Sequence, residues 1–474
     1  MSYIYELYLF FIILYFINSK YISIPFQVEN FTYEGGKKLI NKYVYKDIHT
    51  NILVGSPPQN VSLSINLGEY STFIISKDAY DYYDSTFDKD KSDTYQELSK
   101  PENYYYQIYS EAAKSKDDFV IDNKKNTTIN SLTFNLVTLL QVVQDFCNYC
   151  EVLTQPGMIG LLIAQMKNFE ENISDTNFIS QLKNRSLISS YDFFFDLDNN
   201  NLGNLIIGAK PDEYYKNEKY EKLNYVTIKT LTPNNDLEWS IEFNNVFYGD
   251  KKMQVKPAKA MLLRIEFGLI TGYPEWEYAL EDEFFSQLIK EEKCFKLNET
   301  ALDPARRYSY YYCKKETDLS GFKPFTFSIN INEINHNFTL TKDDLFLDIG
   351  DKYFFLMAFG GMTEYVLGFP FIKKNQLIFN QDTKTIGFYI DKKAQSNENE
   401  NSLEKYIVII SVLSVVFICL IIFLIWFILK KRKNKIKATE LLDNQYNENK
   451  GFGDEQKNRL IDERETTNSI PPNN

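Results

Sequence analysis

Residues Gly55–Glu69 read Gly-Ser-Pro-Pro-Gln-Asn-Val-Ser-Leu-Ser-Ile-Asn-Leu-Gly-Glu. Val61, Leu63 and Ile65 alternate with Asn60, Ser62 and Ser64. Successive side chains of a strand point to opposite faces, so this period of two predicts a strand with one apolar face. The Gly-Ser-Pro-Pro run ahead of it predicts a tight turn, since proline fixes φ and removes a ladder donor. At its far end the strand delivers a polar residue, Asn66, and then a glycine, Gly68.

The alternation recurs in Phe325, Phe327, Ile329 and Ile331 and around Phe338 and Leu340, with turn-rich breaks at Asn199–Asn201 and Asp382–Lys384. Residues 40–393 therefore read as all-β. The plan also repeats. Met158-Ile159-Gly160-Leu161-Leu162 is echoed by Val366-Leu367-Gly368-Phe369, and each follows by roughly 90–105 residues an apolar strand that reaches a glycine, Gly68 or Gly268. Two halves of one plan imply a duplicated lobe.

Two apolar segments set the expected topology. Leu7–Ile17 has the length of a signal-peptide core, and Ser19 offers a small residue for cleavage. Glu6, with no Lys or Arg ahead of it, leaves an uncleaved anchor as the alternative. Tyr406–Leu429 carries no charge. At ~1.5 Å per residue it reaches ~36 Å, enough for a ~30 Å hydrocarbon core. Lys430, Lys431, Arg432, Lys433, Lys435 and Lys437 follow it and assign that end to the cytosol. The expected division is signal peptide 1–19, short pro or linker segment 20–44, N-terminal β lobe 45–222, C-terminal β lobe 223–393, polar stalk 394–405, transmembrane helix 406–429 and disordered cytosolic tail 430–474. The chain is expected in a membrane as a single-pass type I protein with its ectodomain extracellular or lumenal.

Cysteine use fits that topology. Cys147, Cys150, Cys294 and Cys313 precede the span, on the side where disulfides form, and Cys419 lies within it. Cys147 and Cys150 either bond to each other or form a redox pair, although no βαβ pattern surrounds them. Glycosylation sequons stand at Asn30, Asn60, Asn126, Asn172, Asn184, Asn298 and Asn337, all ahead of the span. The net charge of −12 argues against a nucleic-acid partner, which needs a basic surface. The two histidines, His49 and His336, leave no zinc site built on several imidazoles, and no metal or cofactor is expected.

The order of these elements resembles the pepsin-like aspartic proteases over about 350 residues. Gly55-Ser56-Pro57-Pro58-Gln59 is similar to the family's Gly-Thr-Pro-Pro-Gln, Asn66-Leu67-Gly68-Glu69 to its Asp-Thr-Gly-Ser, and the following STFIIS to its Asn-Leu-Trp-Val-Pro-Ser, with Phe73 in the Trp place. Tyr109 and the SEAAKSKDDFVID after it resemble the flap hairpin, with Asp122 closing it. Gly157–Leu161 resembles Asp-Gly-Ile-Leu-Gly-Leu, with Pro156 in the Asp place, and Trp239-Ser240-Ile241 resembles Trp-Gln-Ile. Tyr365–Phe371 resembles Trp-Ile-Leu-Gly-Asp-Val-Phe, and Cys294 with Cys313 falls on the family's C-lobe disulfide. The resemblance implies a bilobal pepsin-like fold, two related β-barrel lobes with a cleft between, plus the C-terminal transmembrane helix.

Chemistry in this family needs one carboxylate from each lobe, sharing a proton, so that one is base to a water while the other polarises the scissile carbonyl. Asn66 stands at the first position. A gap-free match of MLLRIEFGLITGYP places Arg264 at the second, while a two-residue shift places Glu266 there and Gly268 on the cleft glycine. Neither register gives an Asp pair. With Arg264 in place, the cleft is expected to favour an anionic group. Asp117, Asp118 and Asp122 near the flap read as solvated surface charge. Three functions follow as expectations: an inactive homologue that binds peptide or protein in its cleft, an aspartic-type endopeptidase working through Glu266, and a structural surface glycoprotein.

Overall fold

The computed structural model describes residues 20–30, 43–79, 86–106, 108–122, 127–141, 155–162, 175–198, 201–216, 219–227, 238–253, 260–300, 307–331, 334–360 and 365–391. The expected signal peptide, stalk, membrane span and tail lie outside them, as do Cys147, Cys150, Asn126 and Asn172. Among the described residues no helix is long and apolar enough to cross a membrane.

The first half of the chain forms β1 (Ile22–Asn30), β2 (Lys46–Val54), β3 (Gln59–Asn66), β4 (Phe73–Ile75), β5 (Gln96–Glu97), β6 (Glu102–Tyr106), β7 (Ile108–Asp122), β8 (Thr127–Gln141), β9 (Gly157–Gly160), β10 (Asp192–Leu197) and β11 (Leu202–Ile207). The second half forms β12 (Tyr220–Thr227), β13 (Ser240–Ile241), β14 (Asn245–Tyr248), β15 (Lys251–Met253), β16 (Met261–Leu263), β17 (Ile270–Gly272), β18 (Cys294–Thr300), β19 (Arg307–Lys314), β20 (Phe325–Ile331), β21 (Ile334–Leu340), β22 (Phe346–Asp348), β23 (Lys352–Phe359), β24 (Tyr365–Leu367), β25 (Gln376–Asn380) and β26 (Thr385–Asp391). The alternating residues behave as their pattern requires: Val61, Leu63, Ile65, Phe325, Phe327 and Ile329 are all buried.

A shared sheet joins the two halves. Its order begins β12-β26-β25-β10-β11-β1-β2-β3, so strands from both ends of the chain lie side by side. The join is short: β10 pairs with β25 through Asp192 opposite Asn380 and Phe193 opposite Phe379. Above it Phe193 stacks on Phe379 at 5.0 Å, and Trp239 meets both rings at 5.7 and 5.0 Å. The Trp239 indole N–H donates to the Leu161 carbonyl at 2.9 Å, satisfying the one polar atom of a fully buried ring. One apolar cluster runs from Ile22 through Trp239 to Phe388.

The segment expected as a pro or linker stretch, 20–44, contains β1, a strand of this sheet. Gln27–Asn30 pairs with β2 and Ile22–Gln27 pairs with β11. Ile22, Ile24, Phe26 and Val28 are buried on one face. Pro25, which cannot donate, falls where β11 is the only partner. The expected lobe boundary at 222/223 falls inside β12, which pairs with β26 along its length.

Each half repeats one crossing. In the first, β3 runs parallel to β9, and β4 returns antiparallel on β9 with Phe73 opposite Met158. In the second, β16 runs parallel to β24, and β17 returns antiparallel on β24 with Ile270 opposite Leu367. The duplication expected from Gly160 and Gly368 is present in the ladders themselves. Cys294 and Cys313 are bonded and face each other across β18 and β19.

Candidate functional site

The ladders fix which residues are counterparts. Ile65 and Asn66 lie opposite Ile159 and Gly160. Leu263 lies opposite Leu367, so the next residue, Arg264, reaches Gly368, and its N–H donates to the Leu367 carbonyl at 3.2 Å. The glycines agree. A Cβ on Gly160 would lie 2.6 Å from the carbonyl oxygens of Glu69 and Ser71, and one on Gly368 would lie 2.1 and 2.2 Å from those of Leu269 and Phe267. Glu69 and Ser71 are the third and fifth residues after Asn66; Phe267 and Leu269 are the third and fifth after Arg264. Arg264 is therefore the second-half counterpart of Asn66, and Glu266 that of Gly68.

The two turns meet. The Asn66 Oδ1 accepts the Gly68 N–H at 2.6 Å, which folds the first turn onto its own side chain. A Cβ on Gly68 would lie 2.1 Å from Nη1 of Arg264, so the guanidinium lies directly against the bare backbone of this turn and would have to shift for any larger residue. The Glu266 Oε2 accepts the Leu67 N–H at 3.4 Å, and its carbonyl accepts the Lys46 N–H at 2.9 Å. Gly268, expected in the cleft, belongs to a different contact. Its N–H donates to the Val44 carbonyl, and a Cβ there would lie 2.1 Å from the Tyr43 carbonyl, so it is glycine because the chain entering β2 passes over it.

Arg264 is not a free cation. Its Nη2 meets Oε1 of Glu238 at 2.8 Å, and its Nε lies 3.9 Å from Oε1 of Glu266. The expectation that it would draw an anion into the cleft is corrected accordingly, because two carboxylates already answer its charge. Glu238 was not singled out from the sequence. It becomes visible once β13 pairs antiparallel with β16: Ser240 lies opposite Leu262, and continuing the ladder sets Glu238 opposite Arg264. In the first half the ladder of β2 with β3 ends at His49 opposite Ser64, two residues short of Asp47 and Asn66. Asp47 accepts from Nε2 of Gln155 at 2.7 Å and lies 3.3 Å from Nδ1 of His49.

Burial shapes the titration of this group. Burial pushes the Glu69 carboxyl up although it accepts from the Tyr70 N–H, the Ser71 N–H and the Ser71 hydroxyl, with Arg264 opposing the rise. Burial likewise pushes Glu266 up against the pull of Arg264. His49 is lowered by burial, but the hydrogen bond and charge of Asp47, with Glu29, carry it above the ordinary value.

The flap residues sit as follows. Tyr109 pairs through its backbone with Tyr105 and Gln141, close to the turn between β6 and β7. Asp122 does not close that hairpin; it lies at the other end of β7, opposite Thr127. Asp117 is not surface charge either. It is fully buried and accepts from the hydroxyls of Ser92 and Thr94 at 2.8 and 2.5 Å.

Two copies of a crossed-strand unit, sharing one sheet and meeting turn to turn, define the class of bilobal pepsin-like folds. The family model of the eukaryotic aspartyl proteases matches residues 48–389, and the chain belongs to that family. No curated protein matches the chain.

Proposed function

We propose that this chain is a single-pass membrane protein whose pepsin-like ectodomain binds peptide or protein segments in its cleft and does not cleave them. The observation that carries this reading is the ladder equivalence of Asn66 and Arg264. By resemblance, those two places hold the family's aspartates. An amide takes up no proton near neutral pH, and a guanidinium releases none. The shared proton on which the hydrolysis depends therefore has no holder. Loss of a proton-transfer group alone costs about 10²–10⁴-fold in rate. The uncharged run Tyr406–Leu429 and the exposure of Asn30, Asn60, Asn184, Asn298 and Asn337 support a membrane-anchored, glycosylated ectodomain.

A second reading rests on Glu266, whose carboxyl lies at the same junction and is pushed up toward its protonated form. It would make the chain an active aspartic-type endopeptidase. The test is the purified full-length chain in detergent, incubated with casein and a peptide library between pH 3 and 7. We expect no cleavage above the background of a boiled sample, together with saturable binding of some library peptides. Cleavage that pepstatin blocks and that Glu266→Gln abolishes would replace the first reading with the second.

A further inference from the structure

Open sheet edges carry unpaired N–H and C=O groups, ready to pair with another chain, and proteins blunt them by shortness, charge, proline or cover. Among the described residues the edges of this molecule divide sharply. β5 and β13 have two residues each, and β15 and β22 three, which is too short to template a partner. β6 begins at Glu102, and β12 carries Glu221 and Lys222. The other two edges are β18 at the end of the eight-stranded sheet and β21 at the end of the four-stranded sheet, each seven residues long.

β21 is the exposed case. It reads Ile334-Asn335-His336-Asn337-Phe338-Thr339-Leu340, with no Lys, Arg, Asp, Glu or Pro. Its neighbour β20, Phe325–Ile331, has none either, and the two pair in full register. A strand with no charge or proline and a free side lacks the guards by which edges are usually blunted. β18 is better guarded, since it carries Lys296, drawn to Glu277 and Glu281 at 3.1 Å each, and Glu299. Yet each of these two strands carries one sequon, Asn337 in the middle of β21 and Asn298 in β18, and both asparagines are exposed.

We propose that N-glycans on Asn337 and Asn298 are the edge guards of this fold, and that the occupant they exclude is the same edge of a second copy of the chain. The proposal rests on the lumenal or extracellular placement of the ectodomain proposed above. A neighbouring strand must approach to about 4.8 Å to pair. A branched oligosaccharide rooted on the edge strand is far wider than that and fills the approach with hydrated, flexible mass. The remaining exposed sequons serve as internal controls, since Asn30 ends β1, Asn60 lies near the start of β3 opposite Leu53 of β2, and Asn184 ends the helix Phe178–Asn184.

The experiment uses the full-length chain made in a eukaryotic secretory cell and extracted in detergent. Glycopeptide mass spectrometry reads occupancy, and size exclusion reads assembly. We expect glycan at Asn337 and Asn298. Asn337→Gln should move the protein from the monomer peak into higher-order species, whereas Asn184→Gln should not. Adding a charge to the bare edge, in the double variant Asn335→Lys with Asn337→Gln, should restore the monomer peak. Occupancy at Asn60 and Asn184 with none at Asn337 would overturn the proposal and leave the topology standing. No glycan anywhere would remove the topology and this proposal together. A monomeric Asn337→Gln protein, or assembly that the added lysine fails to reverse, would also overturn it.

Discussion

Arg264 faces three carboxylates with one charge. Glu238 lies at 2.8 Å, Glu266 at 3.9 Å, and Glu69 feels the guanidinium from the neighbouring turn. Removing it would leave acids with little water around them and no cation. Breaking one side of a buried ion pair costs about 3–5 kcal/mol. We therefore expect Arg264→Ala to lower unfolding free energy by about 3 kcal/mol at pH 7, within that range. The loss should shrink at pH 5, where the stranded acids take up protons. Denaturant unfolding of the two proteins at both pH values reads this directly, and an equal loss at both would mean the cation is not what holds the acids. Asn66 and Arg264 could be located in the sequence because each sits in a contiguous stretch, Gly55–Glu69 or Met261–Pro274, whose pattern fixes the position. Glu238 could not, because it reaches Arg264 only through cross-strand pairing, and no local spacing encodes which residue a strand will lie against.

At the scale of elements, alternation is strongest where one sheet face is buried, which is why β3, β20 and β21 were readable. β1 was not, although Ile22, Ile24, Phe26 and Val28 alternate cleanly, because Pro25 interrupts the run and reads as a break. The break is harmless, since β2 joins β1 only from Gln27 onward. This makes β1 a structural strand whose loss the shared sheet would feel. Ile24 is fully buried between β11 and the common core. Truncating a buried isoleucine to alanine costs about 2–5 kcal/mol. Ile24→Ala is expected to fall in that range by chemical denaturation, and a value within experimental error of zero would show that β1 is dispensable to the fold.

At the scale of the molecule, the buried titrating groups act together. Glu69 and Glu266 are held above the ordinary carboxylate value, and His49 above the ordinary imidazole value. In each case the folded chain keeps a proton that the unfolded chain has lost, so the stability they lend is complete at low pH and drains away as pH rises. Asp88, Glu283, Glu291, Asp318 and Asp348 are shifted down by lysines, hydroxyls and backbone N–H groups, and so act in the opposite sense. They do so only below the ordinary carboxylate range, and at the exposed surface, where solvent screens them. Lys46 is lowered to about 8 by burial and by Lys373, which adds stability only as pH climbs past that value. Between pH 5 and 7.5 the shifts therefore share one sign. The thermal midpoint of the full-length chain should be higher at pH 5 than at pH 7.5. Glu69→Gln and Glu266→Gln should each flatten that slope, since an amide cannot take up the proton that the folded carboxyl keeps. A midpoint that rises with pH, or a slope that both substitutions leave intact, would place the controlling charges outside the junction of the two turns.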